Sequence, residues 1–267
     1  MPTDLTGRRA LLTGASGGIG ATIARTLHER GASLAISGRR VDQLERLSGE
    51  LGDRVEIIPC DLTQPADVTA LVDRAGAVDV LVSNAGLPAA GRLDDFTPEQ
   101  IDRALDVNLR APMQISRAVL PGMLERGFGR VIYISSMAGK VANAYSSVYS
   151  ATKFGLRGFA LALHDELRGS GVSVSAVFPG FIRDAGMFAD SGTKLPGYVG
   201  TNTPQEVAAA VLKGIDSGRA EVDVAPVGMK IGARLAALAP APMAAMSQRL
   251  GGDKIGKALA EGQRNKR

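Results

Sequence analysis

Along residues 1–228 the apolar positions switch repeatedly between two periods. Short runs rich in Val and Ile, mostly bounded by Gly, Asp or Pro, read as strands. They fall at Ala10–Thr13, Ser33–Ser37, Val55–Cys60, Val78–Ser83, Arg130–Ser135, Val172–Phe178 and Ala220–Ala225. Several are almost continuously apolar, as parallel strands covered on both faces must be. Between the first two, Ile19, Ile23 and Leu27 recur at every fourth position and stop at Gly31, which predicts a helix. Further helical patterns cover Val41–Leu51, Pro65–Ala75, Pro98–Leu120, Tyr149–Arg168 and Pro204–Ser217. This alternation predicts an α/β fold, a doubly wound parallel sheet of about seven strands with right-handed crossovers. No repeat or linker divides residues 1–228, which read as one domain.

After Val224 the pattern changes. Ile231, Leu235 and Leu238 form a helical stripe, Pro240 and Pro242 break it, and Met243, Met246 and Leu250 begin another before Gly251-Gly252. Residues 229–267 therefore read as a helical extension, a pair of short helices capping the body or its substrate cleft. The alternative is membrane-surface contact through a helix with basic flanks. Both stripes are Ala-rich and only modestly apolar, which favours the cap.

Composition narrows the picture. The chain has 267 residues, 45% hydrophobic and 22% charged, which excludes disorder, collagen and coiled coil. A single cysteine, Cys60, ends an apolar strand and reads as a small buried hydrophobe. His28 and His164 lie in separate helical patterns, so no metal site is expected. The N-terminus lacks the apolar core of a signal peptide, and no apolar run approaches the roughly 20 residues that span a bilayer. A cytoplasmic location follows as an expectation. The formal charge of +4 is uneven: residues 229–267 carry +6 and the body −2. That basic tail has no aromatic platform, so nucleic acid is not expected as a partner.

Two clusters carry chemistry. Thr13-Gly14-Ala15-Ser16-Gly17-Gly18-Ile19-Gly20 joins the first strand to the first helix. Glycines there permit close backbone approach to a ligand, and the helix N–H groups face an anion, which points to a nucleotide. At the end of the second strand an acidic residue would bind a ribose 2′-hydroxyl. Gly38-Arg39-Arg40 stands there instead, and arginine pairs with phosphate, favouring NADP over NAD. The second cluster is Tyr149-x-x-x-Lys153, whose side chains share one helix face. An ammonium beside a phenol favours the phenolate, so the tyrosine is expected to titrate below its usual 10 and to serve as general acid or base. Ser136 ends the fifth strand, where its hydroxyl would stabilise charge on a substrate oxygen; Ser135 is the alternative.

These motifs recur together with Asp61-Leu62, Asn84-Ala85-Gly86, Val107-Asn108, Ser135-Ser136-Met137-Ala138-Gly139 and Pro179-Gly180. In that order they resemble the classical short-chain dehydrogenase/reductase family, over about residues 5–225. The resemblance implies a Rossmann-type domain that interconverts a ketone or aldehyde and an alcohol with a nicotinamide cofactor, NADP or else NAD. It implies Tyr149 as proton donor or acceptor, Ser136 and Lys153 beside it, and Asn108 completing a tetrad through a water. Ser136 precedes Tyr149 by the family's spacing. The cofactor would meet Gly14, Ser16, Gly18, Ile19, Gly20, Arg39, Asp61, Leu62, Asn84, Ala85, Gly86, Tyr149, Lys153, Pro179 and Gly180. It implies a homodimer or homotetramer formed through the helices bearing Asn108 and Tyr149.

Three positions depart from the family's pattern: Ser83 for an Asn, Gly17 where some NADP-preferring members are basic, and Asp184 where a Thr commonly meets the carboxamide. Met187, Phe188, Leu195 and Tyr198 read as a substrate lid, and with Met137, Val141 and Tyr145 they suggest an apolar or bulky small-molecule substrate. A non-catalytic nucleotide-sensing module on the same fold is the main rival, with a sugar-nucleotide epimerase or dehydratase and a membrane-surface protein behind it. The complete Ser-Tyr-Lys set favours the enzyme.

Overall fold

Strand residues of alternate parity feed two separate cores, one on each side of a single sheet. The computed structural model describes residues 2–197 and 199–266. Its strands are β1 (Arg9–Thr13), β2 (Ser33–Gly38), β3 (Val55–Pro59), β4 (Val80–Ser83), β5 (Gly129–Ile134), β6 (Val172–Pro179) and β7 (Glu221–Val224). All pair in parallel, in the order β3-β2-β1-β4-β5-β6-β7. Leu11, Ala35, Leu81, Val131 and Tyr133 face one core; Leu12, Leu34, Ile36, Val82 and Ile132 face the other. The pleat sends neighbours to opposite faces, so a strand covered on both sides must be apolar throughout.

Helices α1 (Gly18–Glu29) and α2 (Val41–Leu51) cover one face, and α3 (Pro65–Ala75) begins the cover of the other. The predicted helix Pro98–Leu120 exists as three pieces: α4 (Pro98–Leu105), a π-helical turn at Asp106–Arg110 and α5 (Ala111–Glu125). Next come α6 (Ser147–Glu166), the short α7 (Gly186–Ala189) and α8 (Pro204–Ser217). Capping boxes begin α4 at Thr97 and Gln100 and α8 at Thr203 and Glu206. The strand order reverses between β1 and β4, so their carboxyl ends open a crevice where doubly wound sheets bind ligands.

The extension differs from the expected pair of helices. Pro240 starts a new helix rather than ending the structure, because the missing N–H is tolerated in a first turn. The result is three helices, α9 (Val227–Leu238), α10 (Pro240–Arg249) and α11 (Gly252–Gln263). The Ile231–Leu235–Leu238 stripe does not pack on the body. With Val227 it lies exposed, reaching 84% at Leu238, while Ala233 on the other side of α9 joins the core.

Deep in the larger core, the Tyr133 hydroxyl lies 2.5 Å from the Ser116 hydroxyl, which itself donates to the Pro112 carbonyl at 2.7 Å. Tyr133 therefore donates, and losing its acceptor is costlier than losing the donor. Urea unfolding of Tyr133→Phe should show a loss of about 1 kcal/mol, and Ser116→Ala a loss of about 2 kcal/mol, at unchanged slope. Equal losses would refute the assigned direction of the bond.

Candidate active site

The glycine-rich turn is held in place by its neighbour strand. The Thr13 hydroxyl accepts from the backbone N–H groups of Asn84 and Ala85 at 3.1 and 3.2 Å. The Asn84 amide donates to the carbonyls of Thr13 and Gly14, both at 3.1 Å. Asn84 thus braces the turn. At Gly14, where φ is +69°, an added Cβ would lie 2.7 Å from the Ala85 Cα, so only glycine fits. A Cβ at Gly20 would collide with the Gly14 carbonyl. The first turn of α1 has no side-chain cap and no acidic residue. Its N–H groups remain available to an anion, and the residues present fit a nucleotide pyrophosphate.

Beyond this turn, Arg40 donates to the Ser16 carbonyl at 2.6 Å, whereas Arg39 is exposed at the mouth of β2. Asp61 and Leu62 follow β3 and are half-buried; one Asp61 oxygen accepts from the Thr63 N–H and hydroxyl. Pro179 ends β6, and Gly180 donates to the Val224 carbonyl, so both stand beside β7 at the carboxyl edge. Gly86 lines the pocket beside Asn84 and Ile19.

Asn108 occupies the middle of the π turn and is 1% exposed. Its side-chain oxygen accepts from the Leu87 N–H at 2.7 Å, and its amide donates to the Leu87 carbonyl at 3.0 Å and to Thr152 at 3.4 Å. A π turn inserts one residue into the helical ladder and re-aims what it carries. Here it carries the asparagine that pins the loop after β4 to α6.

On α6, the Lys153 ammonium is buried and donates to the Ile134 carbonyl at the end of β5, 3.0 Å away. It also lies 5.7 Å from the centre of the Tyr149 ring. The two serines separate by role. Ser135 donates its hydroxyl to the Lys153 carbonyl at 3.3 Å, while the Ser136 hydroxyl interacts with the Tyr149 phenol and accepts from the Ala138 N–H at 3.1 Å. Two ion-paired bases stiffen this edge. Lys140 reaches Glu221 and Asp223 at 2.9 and 2.6 Å, and Arg157 reaches Glu221 at 2.6 Å. Burial alone would raise the Glu221 carboxyl, yet these donors hold it below its ordinary value.

The expected fall of the Tyr149 pKa is not what the protein groups produce. Burial pushes the phenol up to about 12, only partly offset by the Ser136 hydrogen bond. The same burial pushes Lys153 down to about 8. The charged forms of both lose water in the same crevice, which disfavours phenolate and ammonium alike.

Ser136, Tyr149 and Lys153 border a cavity of about 980 Å³, at the upper end of small-molecule sites. Met137, Val141, Tyr145, Met187 and Phe188 line it, as does α9–α11; Leu195 does not, and Tyr198 lies outside the described residues. Asp184 lies outside the lining as well, 68% exposed on a left-handed backbone (φ 72°). The sequence patterns missed α11. The Gln263 side chain of that helix donates to the Met187 carbonyl at 3.2 Å, and its Gly256 packs against Ala144 and Tyr145. The Ile255–Leu259 spacing was its available signal. His28 and His164 each bond a backbone carbonyl, Asp53 and Val174, and Cys60 is buried with its thiol pushed up to about 12 by burial. No group of His, Cys, Asp or Glu among the described residues suits a metal ion. No described helix is long and apolar enough to cross a membrane.

A parallel sheet with a glycine-rich phosphate turn at its switch point, and a serine, tyrosine and lysine converging beside it, defines a nucleotide-binding oxidoreductase fold. The family model described as short chain dehydrogenase matches residues 8–196. The chain is 39% identical to ketoacyl reductase HetN of Nostoc sp., over 83% of this chain and 80% of that protein. It is 38% identical to the 3-oxoacyl-[acyl-carrier-protein] reductase FabG of Rickettsia felis, over 67% of this chain and 75% of that one. Among solved structures, the short-chain dehydrogenase from Sphingobium yanoikuyae in complex with NADPH superposes with a TM-score of 0.77 at 32% identity, covering 90% of this chain and 95% of that chain. The chain belongs to the short-chain dehydrogenase family, and it is an enzyme of that oxidoreductase kind.

Burial of Lys153 has a measurable consequence. Its pKa near 8 lies below the ordinary 10.5, so between those values the unfolded chain binds a proton that the folded one has released. Stability from this group therefore rises with pH across that window. Tyr149 and Cys60 act oppositely, because their raised folded pKa values make the unfolded chain lose protons first. Denaturation of wild type and Lys153→Met from pH 7 to 10 isolates the lysine. Wild type should gain stability relative to the variant as pH rises above about 8. A flat difference would show that the ammonium is not desolvated.

Proposed function

We propose that this chain catalyses the NADP(H)-linked interconversion of a ketone or aldehyde and an alcohol on an apolar or bulky small molecule. The observation that carries this reading is the meeting of Ser136, Tyr149 and buried Lys153 at one end of an apolar cavity that opens beside the glycine turn.

The residues that would hold the cofactor are Gly14, Ser16, Gly18, Ile19 and Gly20 at the phosphates, and Arg39 with Arg40 at a 2′-phosphate. Asp61 and Leu62 would border the adenine. Asn84, Ala85, Gly86, Pro179 and Gly180 would wall the remainder, with Tyr149 and Lys153 at the nicotinamide end. When bound, such a group supplies the hydride. Ser136 and Tyr149 orient the substrate oxygen by hydrogen bonds, and the Tyr149 phenol transfers its proton to that oxygen as the alcohol forms. A phenol held near 12 stays protonated at neutral pH, which suits a proton donor in the reduction direction. Lys153, held near the Tyr149 ring by its bond to the Ile134 carbonyl, stabilises the phenolate left behind. Asn108 acts as a positioning residue through Leu87 and Thr152. The bound NADPH of the Sphingobium relative supports the cofactor choice, although a Brucella melitensis 3-ketoacyl-(acyl-carrier-protein) reductase of the same fold was solved with NADH. A homodimer or homotetramer through α5 and α6 fits Met113, Leu124 and Phe154, which are large apolar residues exposed on those helices.

Two sets of variants test the reading. Tyr149→Phe should lower NADPH-dependent ketone reduction at least about 100-fold while NADPH binding stays within about twofold of wild type. Equal turnover would remove Tyr149 from the chemistry. Arg39→Ala and Arg40→Ala should each weaken NADPH binding about tenfold with little change for NADH, the worth of one charge-assisted hydrogen bond. A parallel loss for both cofactors would refute 2′-phosphate recognition.

A further inference from the structure

The cavity extends well beyond what carbonyl chemistry needs, and its far half is built by the extension. The family model ends at residue 196, so α9, α10 and α11 all lie outside the matched segment. On α9 the wall runs from Gly228 to Ala237, about 14 Å at the helical rise. Gly232, Ala233 and Ala236 form its inner face. Opposite them stand Met243 and the partly exposed Met246 of α10 and, just past its end, the exposed Leu250, with Ile255 and Leu259 of α11 beyond. The tail helices contribute no charged residue to this lining. Of their polar side chains there, Gln263 is committed to the Met187 carbonyl. The charged Lys140 and Arg157 nearer the catalytic end are neutralised by Glu221 and Asp223.

A Cβ built at Gly232 meets nothing closer than the terminal carbon of Met243, at 4.0 Å, so the α9–α10 gap is open at that point. Methionines face this gap, and their flexible side chains accommodate a chain without fixed shape. A chamber that is elongated, apolar and continuous with Ser136 and Tyr149 accepts the remainder of the same substrate.

We infer that α9, α10 and α11 form a binding chamber for an extended aliphatic chain attached to the reacting carbonyl, with Gly232 and Ala236 setting its depth. The inference rests on the carbonyl-reductase reading and assigns its substrate class: ketones or secondary alcohols carrying a long hydrocarbon chain. Burying each added methylene against this lining should raise kcat/KM roughly three- to fourfold until the chamber is full.

The test uses the full chain with NADPH and the unbranched methyl ketones butanone, octanone and decanone. In parallel, decanone binding is measured by calorimetry. Wild type should favour decanone over butanone at least about 100-fold in kcat/KM. Gly232→Phe should reduce that ratio at least tenfold and weaken decanone binding, and the smaller change Ala236→Leu should act in the same direction. Ile231→Ala, on the exposed side of α9, should leave the ratio unchanged. A ratio near one in wild type, or the same ratio in wild type and Gly232→Phe, overturns the chamber. If wild type reduces none of these ketones, the carbonyl-reductase reading fails for this class. Calorimetry then still judges the chamber: decanone binding weakened by Gly232→Phe supports it, and binding absent in wild type or unchanged in the variant overturns it.

Discussion

Burial of the Lys153 ammonium under the carboxyl end of β5 is the constraint around which the site is arranged. A cation removed from water needs a fixed acceptor, and the Ile134 carbonyl supplies it at 3.0 Å. That bond ties α6 to the sheet edge, which sets where Tyr149, one turn earlier, stands relative to Ser136. The other supports converge on the same place. Ser135 bonds the lysine's own carbonyl, and Asn108 reaches α6 through Thr152 while clamping Leu87. The Lys153, Ser135 and Leu87 bonds run from the carboxyl end of a parallel strand, or the loop after it, to helical residues, and the Asn108–Thr152 bond joins the π turn to α6. At this edge the Ile134 carbonyl accepts and the Ser135 hydroxyl donates, Ser136 stands just past the end of β5, and α6 carries Tyr149 and Lys153.

Much of this was legible in the chain. Apolar runs such as Leu34–Ile36 and Val80–Val82 read as doubly covered strands because no polar residue interrupts them, and their alternation with helices implied a parallel sheet, whose strand order the structure supplies. The glycine turn and Tyr149-x-x-x-Lys153 are each commonplace alone, and they became legible through their context: the strand and helix around the turn, and Ser136 thirteen positions before Tyr149. Other features depend on contacts between distant segments. Nothing local separates Val107-Asn108 from an ordinary helix, yet the π turn there depends on Leu87, 21 positions earlier. The rise of the tyrosine pKa depends likewise on contacts that the local sequence does not carry. Sequence spacing supplies the neighbouring charge but not the desolvation, which belongs to the assembled crevice.

The extension illustrates a different limit. A helical stripe tells which residues share a face, but not which face the body takes. On α9 the larger residues Ile231, Leu235 and Leu238 face outward, and the small ones turn inward, because a cavity wall rather than a packed interface lies there. The segment around Met187 and the tail meet in this respect. Gln263 holds the Met187 backbone, and Gly256 lets α11 approach the turn carrying Tyr145, so segments far apart in sequence wall the same cavity.

Direct hydride transfer to a carbonyl carbon beside Ser136, Tyr149 and Lys153 is the step proposed for this site. Product analysis after reduction of decanone with NADPH deuterated at the transferable C4 position tests it most directly. One deuterium at the carbinol carbon for each NADPH consumed, with none lost to solvent, is the predicted result. Oxidation of NADPH without deuterium in the alcohol would contradict the account.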